Sequence, residues 1–261
     1  MELAINDLPG EGRPLVILHG LLGSGRNWLG PARKLNGSGR RVVMADMRNH
    51  GQSPWGRPMT YEAMADDVIE LIGRLGAGPV DLLGHSMGGK AAMNLALRQP
   101  ELLARLILVD IAPVAYSHRS FADYIEAMRA VDLAAIQRRG DADTLLATSI
   151  DDVGMRGFLL QNLESDHHHG FRWRVDLELL ANSLPELVGW SEPAGVRPYP
   201  GPALALRGAL SSYVREESLP EFRRLFPKLK VVPIPEAAHW PHVEAPEPFF
   251  AALVSFLQGP A

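Results

Sequence analysis

Gly84-His85-Ser86-Met87-Gly88 carries the most pointed chemistry in this chain, because it lies directly between an apolar run and a helical stretch. Glycines two residues either side of a serine allow a sharp strand-to-helix turn that holds the hydroxyl exposed above a sheet. A serine hydroxyl is a poor nucleophile until a neighbouring base takes its proton. Of the nine histidines, His239 is the best placed. It follows the last strand-like run in Glu236-Ala-Ala-His239-Trp-Pro-His242. A loop there returns an imidazole to the carboxyl end of the sheet, with His242 as its rival. A tetrahedral intermediate also needs oxyanion donors. The Met87 N–H, directly after the nucleophile, is one. Leu21 N–H, in His19-Gly-Leu-Leu-Gly-Ser24, is the other, since Gly20 permits the turn that aims it. His19 itself reads as an anchor for that loop.

The elements that must position these groups are legible from hydrophobic periodicity. Continuous apolar runs at 15–18, 42–45, 80–83, 106–109, 203–206 and 230–234 suit parallel strands covered on both faces. Helical stretches at 61–75 and 90–98 lie between them, which predicts an open, mostly parallel α/β sheet. Ligands bind beyond the carboxyl ends of such strands. Pro233 in the last run marks an edge strand. From Pro113 to about Pro200 no strand-like run appears, and the interval is too long for a plain loop. Helical spacing at 121–129, 158–164 and 177–188 predicts a helical cap over the strand ends. The expected organisation is a core at 1–112 and 201–261 with a cap, or lid, at 113–200. Leu22, Phe158, Leu159 and Trp173 are candidates to line a substrate pocket, although the cap's own core would use the same residue types.

Composition narrows the possibilities. The 261 residues are 46% apolar and 21% charged, enough to bury a sizeable core. Lysine and arginine number 26 against 30 acidic residues, a net charge of -4 that gives no reason to expect nucleic acid or an anionic membrane as partner. Cysteine is absent, which excludes disulfide scaffolds, thiolate metal sites and cysteine nucleophiles. The amino-terminal residues lack a basic start with an apolar stretch, and the expected location is cytoplasmic. Adjacent histidines at 167–169 are a poor closed metal shell, so no metal is expected there.

Taken together, HGLLGS (19–24), DMRNHGQS (46–53), GHSMGG (84–89) and HWPH (239–242) resemble the α/β-hydrolase superfamily. VDIAPV (109–114), RWRV (172–175) and SSYV (211–214) resemble a narrower group within it: small cytoplasmic bacterial esterases akin to mitochondrial abhydrolase-domain proteins. The resemblance covers essentially the whole chain, cap included. It implies an α/β-hydrolase fold with a helical cap inserted after the sixth strand. It further implies a serine esterase acting on short-to-medium acyl esters and acyl-CoA thioesters, with no metal or organic cofactor and a small-molecule substrate as partner.

The acid departs from the common superfamily pattern. Where most relatives carry an aspartate after the seventh strand, this chain reads Leu206-Arg-Gly-Ala-Leu-Ser-Ser-Tyr213. Asp110 ends the strand that follows the nucleophile's, and from that tip a carboxylate can reach Nδ1 of a loop histidine. The narrower group resembles this arrangement; Glu216, Glu217 and Glu236 are the alternatives, and Asp110 could instead cap its own turn. Asp46 and Arg48 are read as a pair that fixes the neighbouring loop. Three competing functions are a P-loop, a non-catalytic ligand-binding protein and cofactor-free perhydrolysis. The 84–90 segment satisfies much of a P-loop, but Ala91 stands where a metal-binding hydroxyl belongs.

Overall fold

The computed structural model describes residues 1–117, 120–166 and 170–259. In chain order the first half comprises β1 (Ile5–Leu8), β2 (Glu11–Leu18), α1 (Leu29–Asn36), β3 (Arg40–Ala45), α2 (Tyr61–Leu75), β4 (Val80–His85), α3 (Met87–Arg98) and β5 (Leu103–Val109). The segment that follows contains α4 (Ser120–Arg129), α5 (Arg139–Leu146), α6 (Val153–Leu160), β6 (Leu163–Asp166), β7 (Gly170–Trp173) and α7 (Leu177–Val188). The chain returns with β8 (Ala203–Gly208), α8 (Leu219–Leu225), β9 (Leu229–Ile234), α9 (Pro241–Glu244) and α10 (Pro246–Gln258).

Seven strands form one sheet in the order β1-β3-β2-β4-β5-β8-β9. All pairings are parallel except β1 with β3. Because side chains alternate across a strand, one face presents Val16, Leu18, Leu82, Leu106 and Leu108 toward α2 and α3. The other presents Leu15, Ile17, Leu83, Ile107 and Val109 toward α1 and α10. Both faces are covered, which is why these strands read as unbroken apolar runs. Pro233 does lie on an edge strand, β9.

Three expectations need correction. The long segment leaves the sheet after β5, the fifth strand in the chain and not the sixth, because only four parallel strands and one antiparallel edge strand precede it. It is not purely helical: β6 and β7 form an antiparallel hairpin, with Leu163 opposite Trp173. That hairpin shows no apolar run, since Glu164 pairs with Arg172 and Arg174 instead of a hydrophobic neighbour. For the same reason the helical reading of 158–164 fails past Leu160, where α6 ends. The histidines at 167–169 lie outside the described residues.

Candidate active site

The nucleophile turn is built by crowding. A Cβ at Gly84 would stand 2.3 Å from the Gly88 carbonyl oxygen, and one at Gly88 would stand 2.6 Å from that of His19. Glycine at both positions lets β4, α3 and the loop after β2 meet. Ser86 between them is held at φ 51°, ψ -118°, a conformation that non-glycine residues adopt only under constraint. Its N–H donates to the Val109 carbonyl of the neighbouring strand tip.

At that tip Asp110 is also at positive φ, 48°. Its N–H donates to Leu206 O, which ties it to β8. The carboxylate is fully buried and accepts three hydrogen bonds: Gly208 N–H at 3.0 Å, Ser211 Oγ–H at 2.5 Å and His239 Nδ1–H at 2.8 Å. The opposite ring nitrogen, His239 Nε2, accepts from Ser86 Oγ at 3.2 Å. Serine, imidazole and carboxylate, from the ends of three different strands, therefore form one continuous line. Glu216, Glu217 and Glu236 are exposed and take no part in it.

The imidazole is fixed on several sides. Tyr213 stacks on it at 3.9 Å between ring centres, and Trp240 meets it edge-on. His85 Nε2 lies 2.9 Å from the His239 carbonyl. A carbonyl only accepts, so that nitrogen carries the proton. His85, Ser211 and Tyr213 were not picked out for these roles from the sequence; no local pattern shows that Ser211 and Tyr213 reach across to Asp110 and His239.

His19, His50 and His242 hold structural positions. His19 places Nδ1 against Gly20 O and accepts the Met47 N–H at Nε2, and burial lowers its pKa to about 4. His50 places Nδ1 against Arg48 O and accepts the Leu22 N–H, its pKa lowered to about 3 first by burial and then by neighbouring His19. His242, the rival base, stacks on Trp28 at 4.0 Å, its pKa lowered by burial to about 3. The Leu22 N–H is committed to His50 and so is not available to the serine. The loop is close: a Cβ on Gly20 would stand 3.2 Å from Ser86 Cβ. Met87 opens α3, so its N–H is one of those a helix start leaves without an intrahelical acceptor.

A cavity of about 530 Å³ opens above Ser86 and His239, with Met155, Phe158 and Trp240 among its walls. Phe158 is where it was expected. Leu22, Leu159 and Trp173 are not: all three are buried in the hydrophobic core and border no cavity at the serine. Leu159 faces inward because it is one residue round the helix from Phe158, and Trp173 is consumed by the hairpin. Asn162 was missed; its side-chain amide donates to Leu22 O and so ties the segment after β5 to the loop bearing Leu21.

Two further readings change. Asp46 and Arg48 do not pair. Arg48 forms a two-pronged bridge to buried Asp67 at 2.6 and 2.7 Å, while Asp46 accepts the N–H groups of Gly25 and Gln52. Lys90, the P-loop lysine of the competing reading, is buried with its ammonium on the carbonyls of Val188 and Gly189. It has no open loop in which to meet a phosphate.

A family model described as the alpha/beta hydrolase fold matches residues 13–246. The chain belongs to the α/β-hydrolase family. Among curated relatives, this α/β hydrolase is 40% identical over 258 residues to the sn-1-specific diacylglycerol lipase ABHD11 of Danio rerio, covering 97% of the chain and 80% of that protein. It is 32% identical over 244 residues to esterase YbfF of Escherichia coli, covering 94% and 92% respectively. Among solved structures, a marine microorganism esterase superposes with a TM-score of 0.93 at 36% identity, covering 98% of this chain and 99% of that one. The hydrolase is thus similar over nearly its whole length to proteins named for ester cleavage. Among its described residues no helix is long and apolar enough to cross a membrane.

Proposed function

We propose that this α/β hydrolase cleaves short-to-medium acyl esters and acyl-CoA thioesters through an acyl-enzyme on Ser86. The observation that carries this reading is the unbroken line from Ser86 Oγ through His239 to Asp110, at 3.2 and 2.8 Å. His239 takes the serine proton as Oγ attacks the carbonyl, then delivers it to the leaving oxygen or sulfur. Leu21 and Met87 N–H hold the developing oxyanion, each contributing about 3 kcal/mol in comparable sites. Asp110 keeps the imidazole in the right tautomer and stabilises the imidazolium without becoming protonated. Water, activated by the same ring, then releases the acid. Residues 113–200 serve as a cap on a core of 1–112 and 201–261, since Phe121, Met155 and Phe158 share the cavity with Ser86 and His239.

The test is direct. A fluorophosphonate should label the wild-type protein at Ser86, and Ser86→Ala should lose both the label and p-nitrophenyl acetate turnover while keeping its circular dichroism spectrum. Turnover retained by Ser86→Ala rejects the nucleophile. A parallel panel of p-nitrophenyl esters and acyl-CoA thioesters separates the two leaving-group classes.

A further inference from the structure

Ser86 borders two spaces of very different size. The larger, about 530 Å³, includes His239, Trp240 and His242 in its wall. The smaller, about 30 Å³, lies on the Met87 side and is lined by Ile111, Leu187, Val188 and the buried stem of Lys90. His239 belongs to the first wall and not to the second.

That asymmetry orients the substrate. In the tetrahedral intermediate the carbon carries Ser86 Oγ, the oxyanion, the leaving group and the acyl chain. The leaving atom must lie within hydrogen-bond reach of His239 Nε2, which protonates it. It therefore departs into the space that His239 lines. The oxyanion points at Leu21 and Met87 N–H, so the acyl chain is left with the small space beyond Met87. We infer that the small chamber is the acyl site and the large cavity the leaving-group site, which makes the substrate a two- or three-carbon acyl group on a bulky alcohol or thiol. A space of about 30 Å³ has room for one or two non-hydrogen atoms beyond the carbonyl.

The small chamber is not a space that a longer chain can push open cheaply. Its wall is the end of α7, and successive carbonyls there are held from the core. Tyr61 Oη donates to Leu187 O at 2.5 Å. Lys90 Nζ donates to Val188 O at 3.0 Å and to Gly189 O, and Tyr116 N–H donates to Val188 O at 2.9 Å. The Lys90 ammonium also sits 4.7 Å over the Tyr116 ring. Moving Leu187 and Val188 aside would strand these donors in a buried setting.

This inference rests on the serine esterase reading, and one experiment tells the two apart. Naphthyl acetate, propionate, butyrate, hexanoate and octanoate keep the leaving group constant while kcat/KM is measured for the wild-type enzyme. Each methylene beyond propionate should lower it by about tenfold, the usual worth of one methylene in a closed pocket. With the acyl group held at acetyl, replacing ethyl by 2-naphthylethyl as the alcohol, a leaving group of similar basicity, should raise kcat/KM. Leu187→Ala, which deepens the small chamber, should shift the optimum one or two carbons longer. Ser86-dependent turnover that favours octanoate over acetate would overturn the chamber assignment and leave the esterase reading standing. No Ser86-dependent turnover of any ester would overturn both. An unchanged chain-length profile in a folded Leu187→Ala enzyme would also reject the assignment.

Discussion

The rim of the sheet and the segment that covers it are held together by different means. At the rim, Ser86 and Asp110 are both non-glycine residues at positive φ, each fixed by a backbone bond to the adjacent strand. Strain is tolerated there because β4, β5 and β8 over-determine the positions. In the segment between β5 and β8 the ties are side chains reaching backbone carbonyls. Arg156 donates to Ile150 O and Asp151 O and pairs with Asp143 at 2.8 Å, and Lys90 and Tyr61 hold the end of α7. Groups that must meet within tenths of an ångström stand on strand ends. Groups that only shape a cavity are carried by tethered helices.

Disrupting each region should therefore give a different symptom. The largest expected effect is at the rim: Asp110→Asn should lower kcat by about 10⁴ as the wrong histidine tautomer is favoured, with the fold intact. Single-turnover release of p-nitrophenol measures it, and a loss of only a few fold would move the acid elsewhere.

Acid should unsettle the buried histidines next. His19, His50 and His242 titrate at about 4, 3 and 3 in the folded chain, against 6.5 when unfolded. Between those values the unfolded chain binds more protons, so stability is complete above pH 6.5 and is lost as pH falls toward 3. His242→Phe keeps a ring on Trp28 and should make the fall in Tm between pH 6.5 and 4 shallower. An unaltered slope would show that His242 is not part of it. The smallest effect belongs to the covering segment: Arg156→Ala should cost about 1–3 kcal/mol in urea denaturation and leave kcat on acetyl esters nearly as it was. A large drop in kcat would mean that the segment does more than shape the cavity.

What the sequence made legible follows the same division. Helices 61–75 and 177–188 were readable to the residue because apolar positions recur at helical spacing through each; Thr60 and Asp176, which the structure shows capping them, were not part of that reading. Ser86, Asp110 and His239 were readable because their chemistry is local to strand tips that the apolar runs already marked. Strand β1, Ile-Asn-Asp-Leu, was invisible as a largely exposed edge without an apolar run. Arg48 was assigned to Asp46 because the two are near neighbours in the chain, yet its partner Asp67 lies on α2, where only the fold brings it close. Leu22, Leu159 and Trp173 have the right residue types for a pocket. Which side of an apolar helix faces a cavity and which faces the core is decided by packing that no spacing encodes.

Ser211 deserves a last consequence. Its hydroxyl sits on the same carboxylate oxygen that His239 uses, at the end of β8, where the common pattern of the superfamily carries its aspartate. Two neighbouring strand ends thus meet at the one carboxylate oxygen that holds the ring. The negative charge can be relocated from one tip to the other over generations of substitution, while the base and the alcohol it serves stay where they are.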